Sequence, residues 1–239
     1  MCRNCADSSL SRRHLMTGAA ALLAASSLGS GRGRAAEEDA PVPNDIPPSD
    51  ALEQLMQGNL RYVSGQAKQQ DFSVGRAARA EGQAPIVGLL ACSDSRVPPE
   101  IIFDQGPGMV FVVRDAGNVV STYGLASLEF AVAVLGVPLL LVLGHSSCGA
   151  VAAALQSARE RKELPGHLPE LVEAIMPAVN EAHSKHPSDL LAATIRENVR
   201  LGMRELKSRS KVVGDAVASG KVGIKGGVYD LATGKIDMV

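Results

Sequence analysis

Residues 139–150 read Leu139-Leu140-Leu141-Val142-Leu143-Gly144-His145-Ser146-Ser147-Cys148-Gly149-Ala150. The first five are aliphatic with no polar interruption. This is the pattern of a strand covered on both faces, and such strands belong to parallel sheets whose crossover connections are helices. Two further runs of the same kind lie upstream, at 86–91 and 109–113. Helical periodicity fills the intervals: 121–135, which carries Leu125, Leu128, Phe130, Val132 and Leu135, then 148–160, 168–183 and 189–207. Pro177 interrupts the 168–183 stretch and is a candidate kink. A last run, 222–229, predicts another strand, weakened by Gly223, Gly226 and Gly227. Ahead of the first strand, Ser49 reads as the N-cap of an amphipathic helix over 50–63, which carries Leu52, Leu55, Met56, Leu60 and Val63 and is closed by Gly65. The order predicts an α/β fold: a single domain over 49–239 with a mainly parallel central β-sheet flanked by helices.

Composition agrees with one domain. A chain of 239 residues, 46% hydrophobic and 21% charged, fits a globular protein with a single core. Aromatics are 3% and Trp is absent, so the core is aliphatic and a base-stacking platform is excluded. Lys and Arg nearly balance Asp and Glu, with no basic stripe to follow a phosphate backbone, so nucleic acid is not expected as a partner. Residues 1–36 read as an export signal peptide: a basic start, an Ala/Leu run from Leu15 to Leu28, then small residues up to Ala36. That run is too short to span about 30 Å of hydrocarbon, so no stable membrane span is expected after cleavage. Ser11-Arg12-Arg13-His14-Leu15-Met16 resembles a twin-arginine signal, which carries folded proteins across a bacterial membrane. The expected destination is the periplasm or another bacterial extracytoplasmic space. Residues 37–48 read as a flexible, acidic, Pro-rich linker. Loss of 1–36 removes five Arg and one Asp, taking the formal net charge from −1 to −5.

Ligands in open α/β sheets gather beyond the carboxyl ends of strands. Two polar segments stand there: Cys92-Ser93-Asp94-Ser95-Arg96 after the first run, and His145-Ser146-Ser147-Cys148-Gly149 after the third. Cys92 and Cys148 are the two cysteines left once Cys2 and Cys5 depart with the signal. In an oxidising compartment they could pair as a disulfide. With His145 they instead offer two thiolates and an imidazole, a donor set suited to zinc, with the fourth tetrahedral position open as in catalytic sites. A phosphate-binding loop is excluded because Ala150 and Val151 stand where Lys and Ser/Thr are needed. A serine nucleophile elbow is weakened by Cys148, which occupies the place of its closing Gly.

CxDSR at 92–96 together with HxxC at 145–148 resembles the β-class carbonic anhydrases. The likeness continues in Gln83, Phe111-Val112-Val113-Arg114, Ala116-Gly117-Asn118, 127–132 and 142–151, with Gly58-Asn59-Leu60-Arg61-Tyr62 and Val228-Tyr229-Asp230-Leu231 flanking. The resemblance implies one zinc ion per chain on Cys92, His145 and Cys148. It implies hydration of carbon dioxide to bicarbonate and a proton by zinc-bound hydroxide, oriented by an Asp94-Arg96 dyad. Two thiolates neutralise the metal, so its water should be less acidic than at a three-histidine site, and activity should rise with pH. Asp94 freed from Arg96 would serve as a fourth ligand in a closed state. Gln83, Phe111, Ala116, Phe130 and Gly149 would bind substrate, in pockets completed by a homodimer or higher even oligomer. The family's bicarbonate-inhibition pocket contains a Trp that this chain lacks, so that inhibition is not expected. Asp115 stands where relatives often carry Asn, beside Arg114. His167, His183 and His186 are shuttle candidates because they titrate in the right range. The rival readings are a zinc hydrolase acting on carbonyl sulfide or carbon disulfide, a silent zinc- or bicarbonate-binding protein, and a redox protein using the two cysteines.

Overall fold

The computed structural model describes residues 45–160 and 164–239. The export signal and positions 37–44 of the linker lie outside them. Three aliphatic runs form β1 (Val87–Ala91), β2 (Val110–Arg114) and β3 (Leu139–His145). The glycine-rich run forms β4 (Gly223–Tyr229), and β5 (Ile236–Met238) follows it. The sheet order is β2-β1-β3-β4-β5, the first four strands parallel and β5 antiparallel to β4. Glycine does not cost β4 its place. A Cβ on Gly226 would stand 2.5 Å from Met203 Sδ and 2.6 Å from Val199 Cγ1, so its absence lets the covering helix lie close to the strand.

The helices are α1 (Pro48–Val63), α2 (Arg76–Glu81), α3 (Pro99–Ile102), α4 (Thr122–Ala133), α5 (Gly149–Glu160), α6 (Leu168–Ser184), α7 (Leu190–Arg209) and α8 (Lys211–Ala218). Ser49 is not the N-cap of the first helix. Pro47 occupies that position and Pro48 opens α1, since proline at the first turn has no N–H to leave unpaired and its φ is already helical. The Ser49 hydroxyl turns to Asp50 instead. Pro177 lies inside α6, which runs on as one helix over Leu168–Ser184.

Strand residues alternate between two cores. Leu89, Leu139, Leu141 and Leu143 pack with Leu55 and Phe103 on the side of α1 and α3. Leu90, Leu140 and Val142 pack with Leu128, Val199 and Leu206 on the side of α4, α7 and α8. Burial of each such side chain contributes roughly 1.5–3 kcal/mol, enough to fix the register of strands with no polar face. From β1 the chain passes to β2 on one side, then crosses back to β3 on the other. Loops leaving the carboxyl ends of β1 and β3 therefore diverge and open a crevice between them, the place where open α/β sheets bind ligands.

Candidate metal centre

Cys92 follows the last residue of β1, His145 ends β3, and Cys148 directly precedes α5. Their donor atoms lie within 4.8 Å of one another and all three residues are buried. Both cysteines are free, so the disulfide alternative is not what the fold adopts. The His145 ring is fixed by a 2.9 Å contact between Nδ1 and the Ser146 carbonyl. That leaves Nε2 buried without a hydrogen-bond partner. A buried nitrogen with no partner beside two thiols is costly in a protein interior unless it ligates something. Two sulfurs and one nitrogen are the soft and borderline donors that zinc takes, so the residues fit that ion.

Asp94 faces the same space, its Oδ2 3.8 Å from His145 Nε2. Arg96 holds it in a fork: Nε donates to Oδ1 at 2.9 Å, Nη2 to Oδ2 at 2.7 Å, and the Arg96 backbone N–H adds a third bond to Oδ1 at 2.9 Å. The carboxylate is thus committed to Arg96. Arg114 braces the same loop from below, donating through Nε to the Cys92 carbonyl and through Nη2 to the Asp94 carbonyl. Asp115 does not pair with Arg114. It accepts from the Ser121 hydroxyl at 2.8 Å while Ser121 accepts the Gly124 N–H at 3.0 Å, which ties the N-cap of α4 to the loop after β2. At Gly117 the backbone is left-handed (φ 67°), and its N–H donates to Cys92 Sγ at 3.2 Å.

The two thiols compete for one proton and titrate as a pair. The hydrogen bond from Cys148 lowers Cys92 to about 4, against burial and helped by His145 and by the Asp94 and Gly117 amides. Cys148 is pushed up by the same bond and by burial, although the Val151 and Ala150 amides of α5 pull it down. Burial works against a charged His145, but the neighbouring Cys92 sulfur, the Ser146 carbonyl and the Asp94 charge outweigh it and raise the imidazole above its usual range. The Arg96 hydrogen bonds hold the Asp94 carboxyl well below the usual carboxylate range.

The other expected residues differ in how they relate to this cluster. Phe111 and Phe130 form a tilted ring pair with centroids 6.3 Å apart, Phe130 being 46% exposed. Ala116 opens the short 3-10 turn that carries Gly117, and Gly149 opens α5. Gln83 and Gly149 are exposed. His167, His183 and His186 are exposed as well, at the two ends of α6, with His167 against Glu170. Arg114, Gly117, Ser146 and Asn198 are the supporting residues to which the sequence reading assigned no role. Each works through a backbone group, which leaves no spacing signature.

The carbonic anhydrase family profile matches residues 87–236. A carbonic anhydrase from Mycolicibacterium smegmatis is 37% identical over 201 residues, covering 82% of this chain and 95% of the relative. Carbonic anhydrase 2 of Mycobacterium tuberculosis is 38% identical over 206 residues, covering 81% and 93%. Among solved structures, one of two tetrameric β-carbonic anhydrases from Sordaria macrospora aligns with TM-score 0.63 and 26% identity, covering 80% of this chain and 97% of that one. The Coccomyxa β-carbonic anhydrase in complex with acetazolamide gives 0.62 and 28%, covering 79% and 86%. The chain belongs to the carbonic anhydrase family. Its mostly parallel five-stranded sheet with flanking helices makes it a β-class member, and it is an enzyme.

Proposed function

We propose that this chain hydrates carbon dioxide reversibly to bicarbonate and a proton, with one zinc ion held by Cys92, His145 and Cys148. The observation that carries the reading is the convergence of three buried donors with an ion-paired carboxylate, Asp94, 3.8 Å from the partnerless His145 nitrogen. When bound, zinc supplies Lewis acidity that activates a water molecule for attack on carbon. The chain's own groups supply orientation. Asp94, kept ionised by Arg96, only accepts hydrogen bonds; it aligns the reacting water and does not take up its proton. Arg96 also holds the carboxylate on its own side, and release of that fork would let Asp94 close the fourth position. Phe111, Ala116 and Phe130 offer apolar walls suited to an uncharged linear gas, with Gln83 and Gly149 as polar contacts.

Self-association is part of the proposal. Helix α4 is apolar nearly all round, yet Tyr123 is 86% and Phe130 46% exposed along one of its faces, and Val134, just past its end, 64%. A helix of that composition is normally covered. A second copy of this chain is the cover we propose, giving a homodimer or an even multiple of it. We also propose export to an extracytoplasmic space, from the residues of the 1–36 segment. No helix among the described residues is long and apolar enough to cross a membrane.

Metal titration tests the reading. Carbon dioxide hydration by metal-stripped protein is expected to rise linearly with added zinc and to saturate at one equivalent per chain. Zinc binding at one equivalent with hydrolysis of carbonyl sulfide or carbon disulfide, and no hydration, would overturn the substrate assignment.

A further inference from the structure

Cys92 has a support that reaches across the fold into α7. The Gly117 N–H that donates to its Sγ belongs to a three-residue turn, Ala116–Asn118, with little bonding of its own; Asn118 N–H to the Asp115 carbonyl at 2.9 Å is its local tie. Such a turn must be held from outside. On one side a Cβ at Gly117 would stand 2.9 Å from Ile175 Cδ1 of α6 and 3.1 Å from Ala150 Cβ of α5, so those helices close over the residue. On the other side the Gly117 carbonyl accepts from Asn198 Nδ2 at 2.7 Å, a bond between residues 81 apart in sequence. Asn198 is 3% exposed, and its neighbour Val199 is fully buried in the core over β3. A buried amide on a rigid helix, bonded at short distance to the residue that feeds a metal-ligating sulfur, is the arrangement by which outer groups orient ligands and set their donor strength.

We infer that Asn198 is a positioning residue for the metal centre, fixing the Gly117 peptide so that its N–H stays on Cys92 Sγ. This rests on the zinc reading above. Without the Asn198 bond the turn relaxes, the sulfur loses its hydrogen bond, and Cys92 is no longer held in the pose that brings it to His145 and Cys148.

The test compares Asn198→Ala and Asn198→Leu with Thr194→Val. Thr194 lies one turn earlier on α7, is equally buried, and bonds its hydroxyl to the Leu190 carbonyl within the helix. Zinc affinity is read by competition with a chromophoric chelator, and the thiolate-to-metal charge-transfer band is read after cobalt substitution. Both Asn198 variants are expected to bind zinc about 10–100-fold more weakly and to shift the cobalt band to longer wavelength, while Thr194→Val keeps both properties. Asn198 variants within twofold of the wild type, or an equal loss in Thr194→Val, would overturn the role. Should the variants not fold, the wild type decides: zinc is expected to move the amide resonances of Gly117 and of the Asn198 side chain together, and an unmoved Asn198 amide overturns the role. A wild-type chain that binds no zinc overturns the metal reading and this inference with it. Zinc binding by the wild type alongside unaffected variants overturns the positioning role alone.

Discussion

At Asp94 the electrostatics has a definite sign. Arg96 lowers the carboxyl, so the ionised, forked state persists through the whole neutral range, and its stabilisation is lost only as the pH falls below the ordinary carboxylate range. The side-chain carbon of Asp94 is therefore expected to show no titration step between about pH 4 and 7 by NMR. Replacement of Arg96 by Gln should bring the step up toward that range; an unchanged curve would mean that Arg96 does not control the carboxylate. The raised Cys148 thiol and raised imidazole have the opposite consequence. Their protons must leave when a metal enters, so zinc affinity should fall as pH falls, with protons released on binding. Calorimetry in buffers of different ionisation enthalpy reads that release directly. Much of this site is legible from residue types, because thiolates, imidazole and a nearby Asp-Arg pair have few other reasons to stand at strand ends. Arg114 and Asn198 are not legible in the same way. They contact backbone carbonyls, a task that many donors at many positions perform.

Elements follow the same division. The aliphatic runs announce β1 and β3, because a strand covered on both faces admits few polar residues, while β2, equally aliphatic, is the edge strand and only half-buried. Leu141, 1% exposed in the centre of β3, is the sharpest case: Leu141→Ala should lower unfolding stability by about 2–5 kcal/mol by chemical denaturation. A loss below about 1 kcal/mol would contradict the two-sided burial. The segments that periodicity does not reveal are short, β5 with 3 residues, α3 with 4, α2 with 6 and α8 with 8, about two turns at most or one clear alternation. Between α6 and α7, Glu197 is buried against Lys185 and Arg200, at 2.8 and 2.7 Å. Burial raises its pKa, yet the Lys185 bond and the Arg200 charge outweigh burial and leave it lowered. Its contribution is then present above the ordinary carboxylate range and lost in acid. Glu197→Gln should cost on the order of 1 kcal/mol at pH 7 after allowance for its half-exposed cations, with the difference shrinking as the pH falls below the ordinary carboxylate range. A pH-independent difference would point to packing instead.

For the whole molecule, periodicity names strands but not their neighbours. The order β2-β1-β3-β4-β5 comes from crossover geometry, and that order brings Cys92 and His145 to one crevice although they stand 53 residues apart in sequence. The exposed face of α4 belongs to this scale too. Tyr123→Glu with Val134→Glu should turn an even-numbered oligomer into a monomer by sedimentation velocity, since two charges would be buried unpaired at the contact. An unchanged sedimentation coefficient would remove α4 from the interface. The measurement that bears most directly on the account is stopped-flow carbon dioxide hydration from pH 6 to 9 by the zinc-loaded chain, beside Cys148→Ser. The account predicts fast hydration that rises toward alkaline pH and falls at least about 100-fold in the variant, together with loss of bound zinc. Hydration absent throughout that range with one zinc bound per chain, or surviving intact in Cys148→Ser, would contradict it.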